Sequence, residues 1–158
     1  MKATLLLGAL CALTGCSQQT HNVHLTSLPL SDLKEVNAQW SPLTRMESRY
    51  PKEAILAGQT GCSSLEYVIN PAGRAEQIRV LDSSDPQFSD AAIAVLQQWQ
   101  WQATPTNSQH IPVKSRTRFE FCIEHNGQPC DTSELELRCQ GEDVEIGRAS
   151  CRERVSSP

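Results

Sequence analysis

Between Phe88 and Trp99 the residues Phe88, Ala91, Ala92, Val95, Leu96 and Trp99 fall at i, i+3, i+4, i+7, i+8 and i+11. That spacing puts them on one stripe of an α-helix, with Asp90, Gln97 and Gln98 turned to water. The pattern predicts a helix over 88–101, and a helix with one apolar stripe must bury it. A period of two flanks it on both sides. Over 61–70, Ser63, Leu65, Tyr67 and Ile69 alternate with Cys62, Ser64, Glu66 and Val68, and the first set suits a half-buried face. Asn70-Pro71-Ala72-Gly73 is a turn signal: Pro71 presets φ, and Gly73 can take a positive one. Residues 74–82 answer as the second strand of a hairpin, with Ile78 and Val80 expected inward. Ser83 to Pro86 breaks that strand and offers capping oxygens to the helix. Over 112–123, Val113, Thr117, Phe119, Phe121 and Ile123 share one face, and Lys114, Arg116, Arg118, Glu120 and Cys122 share the other. A short helix over 51–57 is expected ahead of the strands, opened by Pro51 and stopped by Gly58.

These elements predict an α+β domain of β-β-α-β order, with the helix packed on a three-stranded antiparallel sheet and a short helix before it. The 158 residues leave room for one such domain plus extensions. A formal net charge of −4 carries no basic footprint, so nucleic acid is not an expected partner. No apolar run reaches the length needed to span a bilayer.

The N-terminus has a targeting pattern. Lys2 supplies a positive start, and a short apolar run from Ala3 to Leu13 follows. Leu13-Thr14-Gly15-Cys16 resembles the lipobox of bacterial lipoproteins, which implies cleavage before Cys16 and acylation of that residue. Several acyl chains together make a durable anchor. Ser17, where an aspartate could stand, resembles the outer-membrane sorting pattern. Residues 1–15 are thus expected to be a signal peptide, and Cys11 is removed with it. Residues 16–41 are expected to be a lipidated N-terminus and a polar tether with a short helix over 30–37. His21 and His24 lie in that tether without a thiol or carboxylate partner nearby, and no metal site is expected.

Residues 42–124 resemble the C-terminal domain of the TonB energy-transducer family. The matching features are Tyr50-Pro51 with Ala54, then Gly58 and Gly61, then LEYVINPAGRAEQIRVLDSS, FSDAAIAVLQQWQWQATP and IPVKSRTRFEF. The resemblance implies that the last strand lies at a sheet edge and pairs there with an extended segment of an outer-membrane transporter, the TonB box. Unpaired N–H and C=O groups on an edge accept a guest strand in this way. Val113, Lys114, Arg116, Thr117, Arg118, Phe119 and Glu120 would supply that edge, with Arg116 and Arg118 as outward positions tuning partner choice. Energy-transducing members begin with a retained transmembrane helix and a long Pro-rich spacer, and neither is expected here. The expected function is therefore a non-catalytic protein-binding module facing the periplasm from the outer membrane. Its protein partner would be a transporter or another copy of the chain, the latter making it an envelope scaffold.

A secreted chain meets an oxidising compartment, so paired cysteines are the default. With the strand neighbours that the family fold implies, Cys62 and Cys122 meet at the ends of adjacent strands with the same outward parity. The expected disulfides are then Cys62–Cys122 and, in a tail over 125–144, Cys130–Cys139. No Cys-x-x-Cys is present to suggest a thiol redox site. Residues 145–155, EIGRASCRERV, read as the translation of a common sequencing adapter, so residues 145–158 are set aside as one would a fusion scar.

No enzyme can be assembled from the remaining polar residues. Ser63, Ser64, Ser83 and Ser84 lack a Gly-x-Ser-x-Gly elbow, and the histidines fall in tether or loops. Glu66 and Glu120 are better placed as cross-strand partners of Arg79, Arg116 or Arg118 than as a catalytic pair. Neither catalytic residues nor a cofactor are expected.

Overall fold

The computed structural model describes residues 28–124 and 138–150. The expected signal peptide, Cys16, His21, His24 and Cys130 lie outside the described residues. The elements run α1 (Leu33–Gln39), β1 (Trp40–Thr44), α2 (Lys52–Ala57), β2 (Gly61–Ile69), β3 (Ala75–Ser83), α3 (Pro86–Leu96), β4 (Gln100–Ala103), β5 (Val113–Glu124) and β6 (Asp143–Ser150). The main sheet has the order β3-β2-β5-β6, and β1 and β4 form a separate antiparallel pair.

The β2–β3 hairpin closes as the sequence predicts. Gly73 has φ +69°, and Asn70 Oδ1 accepts from the N–H groups of Ala72 and Arg74, each at 3.0 Å. Two irregularities break the β2–β3 register, between Ser64 and Leu65 and between Glu66 and Val68, and Gln77 takes a positive φ. Ile78 packs on the core as expected, while Val80, which pairs with the core residue Leu65, is 40% exposed on the outermost strand of the sheet.

α3 starts where Asp85 accepts from the Gln87 N–H at 3.1 Å and stops at Leu96, one turn short of the predicted span. Trp99 and Trp101 therefore leave the helix, yet both stay buried, Trp101 as part of β4. The core lies between α3 and one face of β2 and β5. It joins Phe88, Ala92, Val95, Leu96 and Trp99 to Leu65, Tyr67, Ile69, Phe119 and Phe121. Gly61 is needed where the strand passes under the helix, because a Cβ there would come within 2.1 Å of the Phe88 ring.

The tether expected over 16–41 gives way to structure before its end. Val36 and Trp40, at i and i+4, are buried in the same core, and Asp32 caps α1 by accepting from the Glu35 N–H at 2.7 Å.

The expected Cys62–Cys122 pairing is replaced by Cys62–Cys139, with a Cα–Cα distance of 6.1 Å. The parity argument holds and the register defeats it. Cys62 stands opposite Glu120, so Cys122 lies two residues further along, a diagonal rather than a facing pair. The expected Cys130–Cys139 bond falls with it. Cys122 is also disulfide-bonded, but not to Cys62.

Candidate functional site

A strand-binding site needs a row of backbone groups facing outward, so the question is which edge is fit for one. β2 and β5 pair without a break from Gly61↔Phe121 to Ile69↔Val113. β3, by contrast, is the bulged strand, and bulges are a standard device for blunting an edge. The straight strand is β5, and its far side is the candidate site.

That side is not bare, contrary to the sequence expectation of a terminal strand. β6 runs parallel to β5 from Thr117↔Asp143 to Glu124↔Ser150. At the other end Leu30 forms a bridge to Lys114, and the Ser31 N–H donates to the Lys114 carbonyl at 3.0 Å. Between the two, a cleft of about 630 Å³ opens over Ser115 and Arg116, walled by residues 30–33 and 140–143. Of the seven residues expected to form the edge, Val113 and Phe119 turn into the core. Lys114, Arg116, Arg118 and Glu120 have the opposite parity.

Those four are not free surface positions. Lys114, Arg118 and Glu120 are buried. For Arg118 and Glu120 the reason is the tail. Cys139 is bonded to Cys62, the Ser64 hydroxyl donates to the Gln140 carbonyl at 2.7 Å, and Gly141 lies against the Arg118 backbone. The chain therefore crosses the outer face of β2 and β5 before it reaches the edge. Under that cover the charges pair with one another. Arg118 Nε sits 2.7 Å from Glu120 Oε1, and Glu66 is surrounded by Arg79, Arg116 and Lys114 at 2.7, 3.6 and 3.9 Å. Burial pushes the Glu66 pKa up, but the Arg79 hydrogen bond and the Lys114, Arg79 and Arg116 charges outweigh it and hold it below the usual carboxylate value. Arg116 alone of the proposed tuning residues keeps a substantial opening, with 31% of its side chain exposed in the cleft.

On the core side of the same edge, sequence reasoning missed Arg45. Its guanidinium lies over the Trp99 ring, 4.4 Å from the centroid, a cation–π distance. It donates to Asp143 Oδ1 from Nη1 and to Glu145 Oε2 from Nε, both at 2.9 Å. Thr117 donates to Asp143 Oδ2 at 2.6 Å, and Tyr67 lies 3.0 Å from the Thr117 hydroxyl. Burial pushes the Tyr67 hydroxyl up to about 12, so it stays protonated at neutral pH. Residues 42–49 carry no period and no motif, and no signal in the sequence marks Arg45.

Residues 46–123 match the model of the Gram-negative bacterial TonB protein C-terminal family. Among solved structures, the solution NMR structure of the Pseudomonas aeruginosa TonB C-terminal domain is 22% identical, with a TM-score of 0.49, covering 55% of this chain and 89% of that one. A comparison with curated proteins gave no match. With Tyr50-Pro51 leading into α2, the β2–β3 hairpin, α3 and β5 all inside the matched span, residues 46–123 are a domain of the TonB C-terminal family, protein-interaction domains of the bacterial envelope.

Proposed function

We propose that this chain is an outer-membrane lipoprotein, anchored through Cys16, whose domain captures an extended segment of a transporter along the β5 edge from the periplasmic side. No chemistry is performed on the partner; its backbone extends the sheet. The observation that carries this is the unbroken β5 strand with another strand already paired along it. Main-chain pairing of this kind gives affinity, and the side chains at alternate positions give specificity.

Residues 145–155 are, on the same reading, adapter-encoded and foreign to the native chain. β6 is then largely a strand that was never selected to fit β5, and its seating supports an edge that is tolerant of sequence. A genomic read that runs cleanly through Val155 would remove this part of the reading.

The main test is photo-crosslinking in intact cells from a reactive residue at position 116, where the cleft leaves room. Adducts to an extended transporter segment support strand capture. Adducts to a second copy replace it with a self-associating scaffold, and no adduct at all defeats the edge as the working surface. The anchor is tested separately: Cys16→Ser should release the protein from membranes, and full retention refutes acylation at that position.

A further inference from the structure

The fold lays its own tail across the sheet to the far side of β5, and a covalent bond helps to keep it there. Resting on the strand-capture reading, we propose that residues 139–144 are an autoinhibitory strap over β5. The Cys62–Cys139 disulfide is its latch, and a dithiol reductant opens it.

Residues 139–144 precede the stretch read as adapter-encoded, so the strap belongs to the native chain on either reading of the tail. It is fixed at successive points. Cys139 is bonded to Cys62, near the start of β2. One residue on, the Gln140 carbonyl accepts from the Ser64 hydroxyl at 2.7 Å. Gly141 then passes so close to β5 that a Cβ there would lie 3.1 Å from the Arg118 Cβ and 3.2 Å from its backbone nitrogen. The chain next enters the ladder, with Asp143 opposite Thr117 and Val144 opposite Arg118. From Thr117 onward, the main-chain groups that a guest strand would use are therefore taken by the tail.

The bond acts through tether length. Cys139 is four residues from Asp143, whereas Glu124, the end of β5, is nineteen residues from it. The local concentration of a tethered segment falls roughly as the −3/2 power of tether length, so breaking the bond lowers it about tenfold. A tail held at the higher concentration excludes a guest that the longer tether would let in. Both cysteines are fully buried, so thiol–disulfide exchange follows a local opening of the strap. A thiolate of the reductant then attacks one sulfur, the Sγ–Sγ bond breaks, and the other sulfur leaves as a thiolate and takes up a proton. The reductant's second thiol loses its proton and attacks the mixed disulfide, which frees the remaining cysteine as a thiol. Two electrons pass from the dithiol, which ends as a disulfide, to the pair, which ends as two thiols.

The test compares hydrogen exchange of the oxidised full chain, the same chain in dithiothreitol, and the Cys62→Ala/Cys139→Ala variant. Opening the latch should speed exchange of the β6 amides about tenfold with α3 unchanged. Dithiothreitol also reduces the bond at Cys122, which the double variant keeps. Faster exchange in both assigns the effect to Cys62–Cys139; faster exchange in dithiothreitol alone, or in neither, overturns the latch. Where loss of the bond unfolds the whole chain, Gly141→Val lifts the strap from Arg118 with the bond intact. Its β6 amides should exchange several-fold faster than the parent's, and parent rates there overturn the strap. The second readout is the yield of adducts in cells from a photo-reactive residue at position 116, which should rise several-fold in the double variant. Equal yields in parent and variant overturn autoinhibition. Faster β6 exchange with no adduct in either chain defeats strand capture and leaves the latch standing.

Discussion

Replacing Cys62 and Cys139 together by Ala tests the disulfide that the structure puts in place of the expected one. The two cysteines are 77 residues apart and both are fully buried. On the chain-entropy model a loop of that size restricts the unfolded chain by about 4.5 kcal/mol. Alanine at both sites leaves no buried thiol, so the loss should approach that figure. In a domain of this size the melting temperature should fall by roughly 15–20 °C. The change should also loosen the tail, because Cys139 pins the segment whose Gln140 carbonyl accepts from Ser64 and whose Gly141 lies on Arg118. The assay is urea unfolding of the oxidised parent and the double variant, with disulfide mapping by mass spectrometry of the parent. A loss under about 1 kcal/mol refutes the reasoning, and so does a mapped Cys62–Cys122 bond.

Three further outcomes follow from the packing. Trp99→Ala should cost about 3–5 kcal/mol in chemical denaturation, since the ring is wholly buried; an unchanged unfolding midpoint would contradict its place in the core. Gly73→Ala should cost more than about 2 kcal/mol, because φ is +69° there and a Cβ would meet the Trp101 carbonyl oxygen at 1.9 Å; a variant as stable as the parent would refute the tight approach of the β2–β3 turn to β4. The folded-state pKa of Glu66 is lowered, so its stabilising contribution is fully present above the unfolded value and is lost as pH falls through the folded one. Glu66→Gln should therefore flatten the loss of stability below about pH 4.5, where an unfolded glutamate takes its proton; an acid limb identical to the parent's would remove the Arg79–Lys114–Arg116 cluster as its cause.

Much of the domain could be read from periodicity. The stripe from Phe88 to Leu96, the alternation of Leu65, Tyr67 and Ile69, and the Asn70–Gly73 turn each state a local rule, and the fold obeys all three. Each is legible because burying one face of an element leaves a repeat in the chain that forms it. Val80 escaped the same rule because its cover depends on where β3 lies in the sheet, at its outer side, which the strand does not record alone.

The site was the less legible part. That β5 is the straight strand suited to pairing agrees with its pattern, but its neighbour β6 falls largely in residues 145–158, which the sequence reading set aside. The sequence by itself determined the β-β-α-β core, the parity of Cys62 and Cys122, and the charged outer face around Glu66. Only the tertiary structure decided that Cys62 bonds Cys139, that the tail crosses the Ser64 and Arg118 part of that face, and that Arg45 and Thr117 meet at the edge. Those outcomes depend on register and on contacts between residues far apart in the chain: Arg45 and Asp143 touch across 98 positions, a separation at which no periodicity carries information.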